Sequence, residues 1–363
     1  MTTQWRPLML LVSVFTLMGL GWVMAYSGSA FVLSDGFFFA KRHGVHLVLG
    51  ALCMVVAVGL HPRMYRRFAY LLYGLAMLVL VLVLIPGVGR RVGGSARWLD
   101  LGFLRVQGGE ILKIALVFYL AMSLAKKGDK MRLFHAGIIP HIVIPGLAVG
   151  LLLAEPDFGT AFVAVSVTFI MLFIGGARTS YLLAMALVAL PLALHAVTSS
   201  TYRLRRLIAF LDPWSHRQDS GYQVVESLIA MGSGQLSGTG VGQGPAKLHF
   251  LPAAHTDFVL SLIGQEWGFF GVSVVLLCFV SITVVGLRAA ISQTDLFCRY
   301  LAVGITTTLV LQAVVNTFVA LGIVPTKGIT LPFVSYGGAS LLISCFMAGI
   351  LLQLSTTCPE DCS

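Results

Sequence analysis

Residues 8–26 read Leu-Met-Leu-Leu-Val-Ser-Val-Phe-Thr-Leu-Met-Gly-Leu-Gly-Trp-Val-Met-Ala-Tyr, without one charged side chain. A helix needs about 20 apolar residues to cross the hydrocarbon core of a bilayer, and this run supplies them. It is too long for the apolar core of a cleavable signal peptide, and further runs follow it. They lie at 45–60, 68–85, 110–125, 138–153, 158–175, 180–197, 258–286, 300–322 and 335–355. The pattern predicts an all-α polytopic membrane protein with about ten transmembrane helices. It forms one membrane domain over 1–363, with a long extracytoplasmic loop, 198–257, between helices seven and eight. The run 258–286 is too long for a simple crossing, so its first part belongs in an interface or a cavity.

Composition agrees, with 58% apolar and 10% charged residues against about 25% charged in soluble domains. The formal charge is +10, yet no basic low-complexity arm or nucleic-acid module accompanies it. Membrane lipid with an anionic head is therefore the expected partner, and nucleic acid is not. Cys53, Cys278 and Cys345 fall within apolar runs, where a thiol behaves as a small hydrophobe. Cys358 and Cys362 form a weak C-x3-C signal with no His or second pair nearby.

An even number of spans puts both termini on one side. The short loops holding Arg63, Arg66 and Arg67, and Lys126, Lys127, Lys130 and Arg132, mark that side as cytoplasmic. The opposite side is also basic, chiefly in the loops 86–109 and 198–257, and cations there suit an anionic ligand such as a phosphate head group. Within 198–257, Leu204, Leu207, Ile208 and Leu211 alternate with Arg203, Arg205 and Arg206, the pattern of a helix lying on the membrane. Val225, Leu228 and Ile229 suggest a second helix. The glycines from Gly232 to Gly244 lack a P-loop ending and read as a mobile or re-entrant loop.

Ionisable residues at membrane depth are functional candidates. Asp257, in His255-Thr256-Asp257-Phe258, is either a helix N-cap or a desolvated base, with His255 as a rival base. Glu110 and Lys113 share a helix face and can pair, and Arg105 lies just before them; an Arg with a Lys suits a diphosphate. Glu155-Pro156-Asp157 is either an ordinary helix start or, with Asp257, part of a divalent-cation site for Mg or Mn. No cofactor is certain from these residues. Glu266 is a buried hydrogen-bonded group or part of a polar cavity. Lys327 precedes Pro332 and Gly337-Gly338, which mark broken helix geometry.

Five motifs, in order along the chain, resemble the SEDS family (shape, elongation, division and sporulation). They are Gly94-Ser95-Ala96-Arg97-Trp98-Leu99-Asp100-Leu101-Gly102, Ala154-Glu155-Pro156-Asp157-Phe158-Gly159-Thr160, Gly221-Tyr222-Gln223, His255-Thr256-Asp257-Phe258 and Leu331-Pro332-Phe333-Val334-Ser335-Tyr336-Gly337-Gly338. The segment 325–332 is more similar to division-type than to elongation-type members. The resemblance implies an inverting peptidoglycan glycosyltransferase of ten spans. Such an enzyme polymerises lipid II at the outer face of the bacterial cytoplasmic membrane, beside a class B penicillin-binding protein transpeptidase and other divisome proteins. It implies Asp257 as the essential carboxylate and Arg105, Lys113 and Lys327 as functional cations, with Arg97 and Trp98 shaping a loop over the site. The chain departs from the family at Gly108-Gly109, which is expected to loosen the entry to the fourth span, at Ala253, and at Gln265. A lipid II flippase and a scaffold for the crosslinking enzyme are the rival readings. A flippase needs a polar path through both leaflets, whereas the candidates cluster at outer loop ends.

Overall fold

The computed structural model describes residues 5–29, 37–92, 95–100, 105–198, 201–219, 221–243, 256–326 and 328–356. It is an all-α bundle. The apolar runs form α1 (Trp5–Ser29), α2 (Phe38–Gly59), α3 (Pro62–Leu84), α4 (Gly108–Lys127), α5 (Ile139–Ala154), α6 (Phe158–Ile174) and α7 (Thr179–Thr198). After them come α8 (Thr201–Leu211), α9 (Tyr222–Ser233), α10 (Val259–Ser292), α11 (Leu296–Ala320) and α12 (Gly338–Thr356). Among the described residues, 8 helical stretches are long and apolar enough to cross a membrane, and two shorter apolar helices lie at Phe158–Ile174 and Thr179–Leu192. The chain is thus a multi-pass membrane protein.

Local signals set the ends of these helices. His61 caps α3 by accepting from Arg63 N at 3.2 Å, with Pro62 at the first position. Asp295 caps α11 through Cys298 N at 3.1 Å and pairs with Arg66 at 2.8 Å, tying the start of α11 to α3. The second helix begins earlier than its hydropathy suggested. Lys41, Arg42 and His43 lie within α2, where Arg42 stacks on Phe38 at 4.6 Å and His43 is buried. The bundle centre is α4 packed on α11, both buried along most of their length. Around them α3 lies on α4, α2 on α12, and α1 on α10.

Two features were not legible beforehand. The basic loop after α3 is an antiparallel meander of β1 (Gly89–Val92), β2 (Ser95–Asp100) and β3 (Arg105–Gln107), with Leu99 opposite Val106 and Trp98 opposite Gln107. In addition, Gly108 and Gly109 do not loosen the fourth span. They form its buried first turn. A side chain at Gly108 would meet Leu80 Cδ2 at 2.9 Å, and one at Gly109 would meet Thr160 at 3.1 Å. The glycines let α4 pack directly on α3 and on the start of α6.

The long run 258–286 is broken within α10. At Gly268 the backbone has φ 63° and ψ −158°, a region open essentially to glycine alone. The two intrahelical bonds that should span the break are exchanged with the loop after α9. Thr239 N donates to Gln265 O at 2.9 Å and Gly240 N to Glu266 O at 3.1 Å. In return Phe269 N donates to Gln235 O at 2.9 Å and Phe270 N to Leu236 O at 3.3 Å. The described part of the glycine-dense stretch is therefore docked into the break in α10. It satisfies backbone groups that would otherwise be stranded inside a membrane protein. Gly238 and Gly268 allow the approach: an added Cβ at Gly268 would stand 2.5 Å from both Gly238 N and Leu236 O.

Candidate functional site

One end of the bundle gathers the β meander, the α5–α6 turn, the start of α10 and the segment between α11 and α12. Asp257 is half-buried there. It is not the cap of α10: that position is Phe258, with no side-chain cap bond. The backbone around Asp257 is instead fixed from outside. Asn316 Nδ2 of α11 donates to Asp257 O at 2.9 Å and to Ile329 O at 2.8 Å. Ser335 Oγ donates to Thr256 O at 2.6 Å and accepts from Leu331 N at 2.8 Å. Burial raises the pKa of the Asp257 carboxyl, while the Arg206 and Arg97 guanidinium groups and the Thr256 hydroxyl pull it down. A carboxylate in this setting stays ionisable yet is more basic than one in water.

Arg97 reaches the site from β2. Its guanidinium donates to Pro156 O at 2.5 Å, bridging the meander to the α5–α6 turn. Beyond that turn the two acids divide their roles. Asp157 caps α6, accepting from Thr160 N at 3.2 Å and from its hydroxyl at 2.9 Å. The helix-start reading holds for it. Glu155 is 1% exposed, and among the described residues neither carboxyl oxygen has a hydrogen-bond partner. Burial first, and Asp157 second, push its pKa up to about 8 against the pull of Arg97. Asp157 Oδ2 would lie 3.3 Å from a side chain at Gly109, so the α6 cap abuts the start of α4. One turn on, Lys113 Nζ and Glu110 Oε2 form the predicted pair at 2.7 Å, both buried.

Trp98 sits on β2 beside Arg97, half-buried. Arg105 lies on β3, but its side chain, and the residues His255 and Lys327, fall outside the described residues, as do Cys358 and Cys362. Glu266 is a buried hydrogen-bonded group. Ser27 Oγ of α1 donates to it at 2.8 Å, and Gly242 N lies 3.4 Å from Oε2. It binds the glycine loop to α1.

The sequence placed Arg206 on an interfacial helix among the outer cations suited to an anionic ligand, without linking it to Asp257. In the fold α8 lies over this end, and Arg206 Nη1 donates to Thr326 O at 3.3 Å, next to the segment facing Asp257. That link was not visible in the sequence, since the partner is 120 residues away. Among the described residues no three His, Cys, Asp or Glu side chains come close enough to hold an ion. Asp157 is committed to Thr160, and the charged groups acting on Asp257 are two arginines.

An all-α multi-pass membrane protein with a carboxylate and several cations gathered at one end is the class these observations define. The chain belongs to the FtsW/RodA/SpoVE family of cell cycle proteins, whose model matches residues 8–359. It is 43% identical over 352 residues to a probable peptidoglycan glycosyltransferase FtsW of Trichlorobacter lovleyi, covering 96% of this chain and 92% of that one. It is 36% identical to stage V sporulation protein E of Bacillus subtilis, covering 96% of each. Its fold is similar to a chain in a structure of a peptidoglycan synthase complex that coordinates polymerisation and crosslinking, with TM-score 0.79, 29% identity and 98% of each chain covered. The crystal structure of the rod shape determining protein RodA of Thermus thermophilus matches with TM-score 0.71 and 29% identity over 95% of each chain.

Proposed function

We infer that this chain is a peptidoglycan glycosyltransferase that polymerises lipid II for septal wall synthesis, working in the bacterial cytoplasmic membrane with both termini inside and its site facing out. Relatives named as glycosyltransferases of the division type support the activity. The observation that carries the mechanism is a half-buried Asp257 carboxyl whose pKa, raised by burial, is lowered by the charges of Arg97 and Arg206, themselves anchored on Pro156 O and Thr326 O. In this reading Asp257 takes the proton of the acceptor sugar hydroxyl as that oxygen attacks the anomeric carbon of the donor. The bond from that carbon to the undecaprenyl diphosphate breaks, and the diphosphate leaves with the electron pair. It needs cations more than an acid. Arg105, Lys113 and Lys327 meet its charge, with Glu110 fixing the Lys113 ammonium in place through their 2.7 Å pair. Trp98 and Arg97 shape the cover, and α8 rests on the membrane lipids through which the substrate arrives.

We assign charge balance to arginine and lysine rather than to Mg or Mn, because the Arg97 and Arg206 charges already act on Asp257. A class B penicillin-binding protein is the proposed partner, by analogy with the synthase complex, together with other divisome proteins. The test is glycan polymer from purified lipid II, with the protein and that partner reconstituted together. Wild type is expected to make polymer, with or without a chelator, and Asp257→Asn to make none. Equal polymer from both removes Asp257 from the chemistry. No polymer from wild type, with lipid II moving between leaflets, replaces the enzyme with a flippase.

A further inference from the structure

The segment that holds Asp257 in place is itself held from α2. Tyr336 directly follows Ser335, whose hydroxyl ties Leu331 N to Thr256 O. Its ring is met by three rings of α2. Phe39 lies 5.2 Å away, centroid to centroid, at an edge-on 66°; His43 lies at 5.8 Å and His46 at 6.2 Å. Positions 39, 43 and 46 fall on one face of a helix, and these separations are those of attractive aromatic pairs. His43 is 0% exposed, and among the described residues neither ring nitrogen has a hydrogen-bond partner. Burying both ring nitrogens costs more than burying an aliphatic side chain would, so what position 43 contributes is its ring against Tyr336. His46 also packs on Gly338, where an added Cβ would stand 2.9 Å from Nε2.

We propose that Phe39, His43 and His46 are positioning residues for Asp257, acting through Tyr336 and the Ser335 bridge. The proposal rests on the glycosyltransferase reading with Asp257 as base. The α2 stripe clamps the Tyr336 ring; the clamp fixes Ser335; Ser335 fixes the Thr256 carbonyl and with it the direction of the next side chain. A misplacement of about 1 Å at a reacting group can cost on the order of a hundredfold in rate.

The experiment measures polymerisation against lipid II concentration in the reconstituted pair, together with amide exchange at Leu331, whose N–H reports the Ser335 bond. His43→Leu is expected to lower kcat at least tenfold with KM changed less than twofold, and to speed exchange at Leu331 but not along α4. His43→Phe, which restores a ring, is expected to recover most of the loss. Ser335→Ala combined with His43→Leu is expected to lose little more than the worse single variant, since both act on one path. Should His43→Leu not fold, His46→Leu at a half-exposed position carries the same test, with a loss of about threefold. A rise in KM at constant kcat, unchanged Leu331 exchange, or losses that multiply in the double variant overturns the proposal. Wild type without polymer beside a competent partner overturns the activity reading and the proposal with it. Active wild type with unaffected variants overturns the proposal alone.

Discussion

Replacing Gly268 by Ala tests whether the interlock between α10 and the glycine loop is structural. Two relaxations are open to the variant. If the break persists, Ala must hold φ 63° and ψ −158°, a strain of about 1–3 kcal/mol. Its Cβ must also push back the backbone at Leu236 and Gly238, 2.5 Å away. If α10 straightens instead, Phe269 and Phe270 regain intrahelical acceptors, but the four bonds to the loop are lost. The net deficit is two bonds, about 2 kcal/mol at about 1 kcal/mol each. The cheaper route therefore costs about 2 kcal/mol, which is about 30-fold in an opening equilibrium. Amide exchange at Thr239 and Gly240, read by mass spectrometry in nanodiscs, should accelerate by about that factor. Unchanged exchange at both amides, with an unchanged melting temperature, would refute the reasoning.

Other outcomes follow from the buried charges. Glu110→Gln or Lys113→Met alone leaves one buried charge unpaired and should cost about 3–5 kcal/mol; the double variant should melt above either single one. Glu155 has a folded pKa of about 8, above its ordinary 4.5. The fold favours its protonated form, so its contribution to stability is complete below pH about 4.5 and is lost as pH rises through about 8. The melting temperature of wild type should therefore fall over that window relative to Glu155→Gln, and parallel curves would contradict the burial argument. Arg206 pulls the Asp257 pKa down. Arg206→Ala should move the acid limb of the polymerisation profile to higher pH, with Arg206→Lys intermediate, and an unmoved limb would detach Arg206 from Asp257.

The membrane class was legible because each span is a local property: about 20 apolar residues must be helical in lipid whatever lies beside them. The Glu110–Lys113 pair was legible for the same reason, being set by helical spacing. The break in α10 was half legible. Its length announced a departure, but only the fold could show that Gly268 breaks the helix and that residues 235–240 fill the gap. The effect of Gly108-Gly109 was misread because a glycine looks the same in sequence whether it frees a chain or admits a neighbour; Leu80 and Thr160 decide which. Asp257 as a cap was the sound local alternative, and it gave way to Phe258 because Asn316 of α11 and Ser335 of the segment before α12 fix the chain from outside. The partners of Arg206 and of the α2 stripe stayed invisible, since they lie far off in sequence. Composition and spacing thus determined that this protein is a helical membrane enzyme candidate with cations and a carboxylate. Which cation faces which acid was decided only by the tertiary structure, because electrostatic and packing partners are set by distance in space.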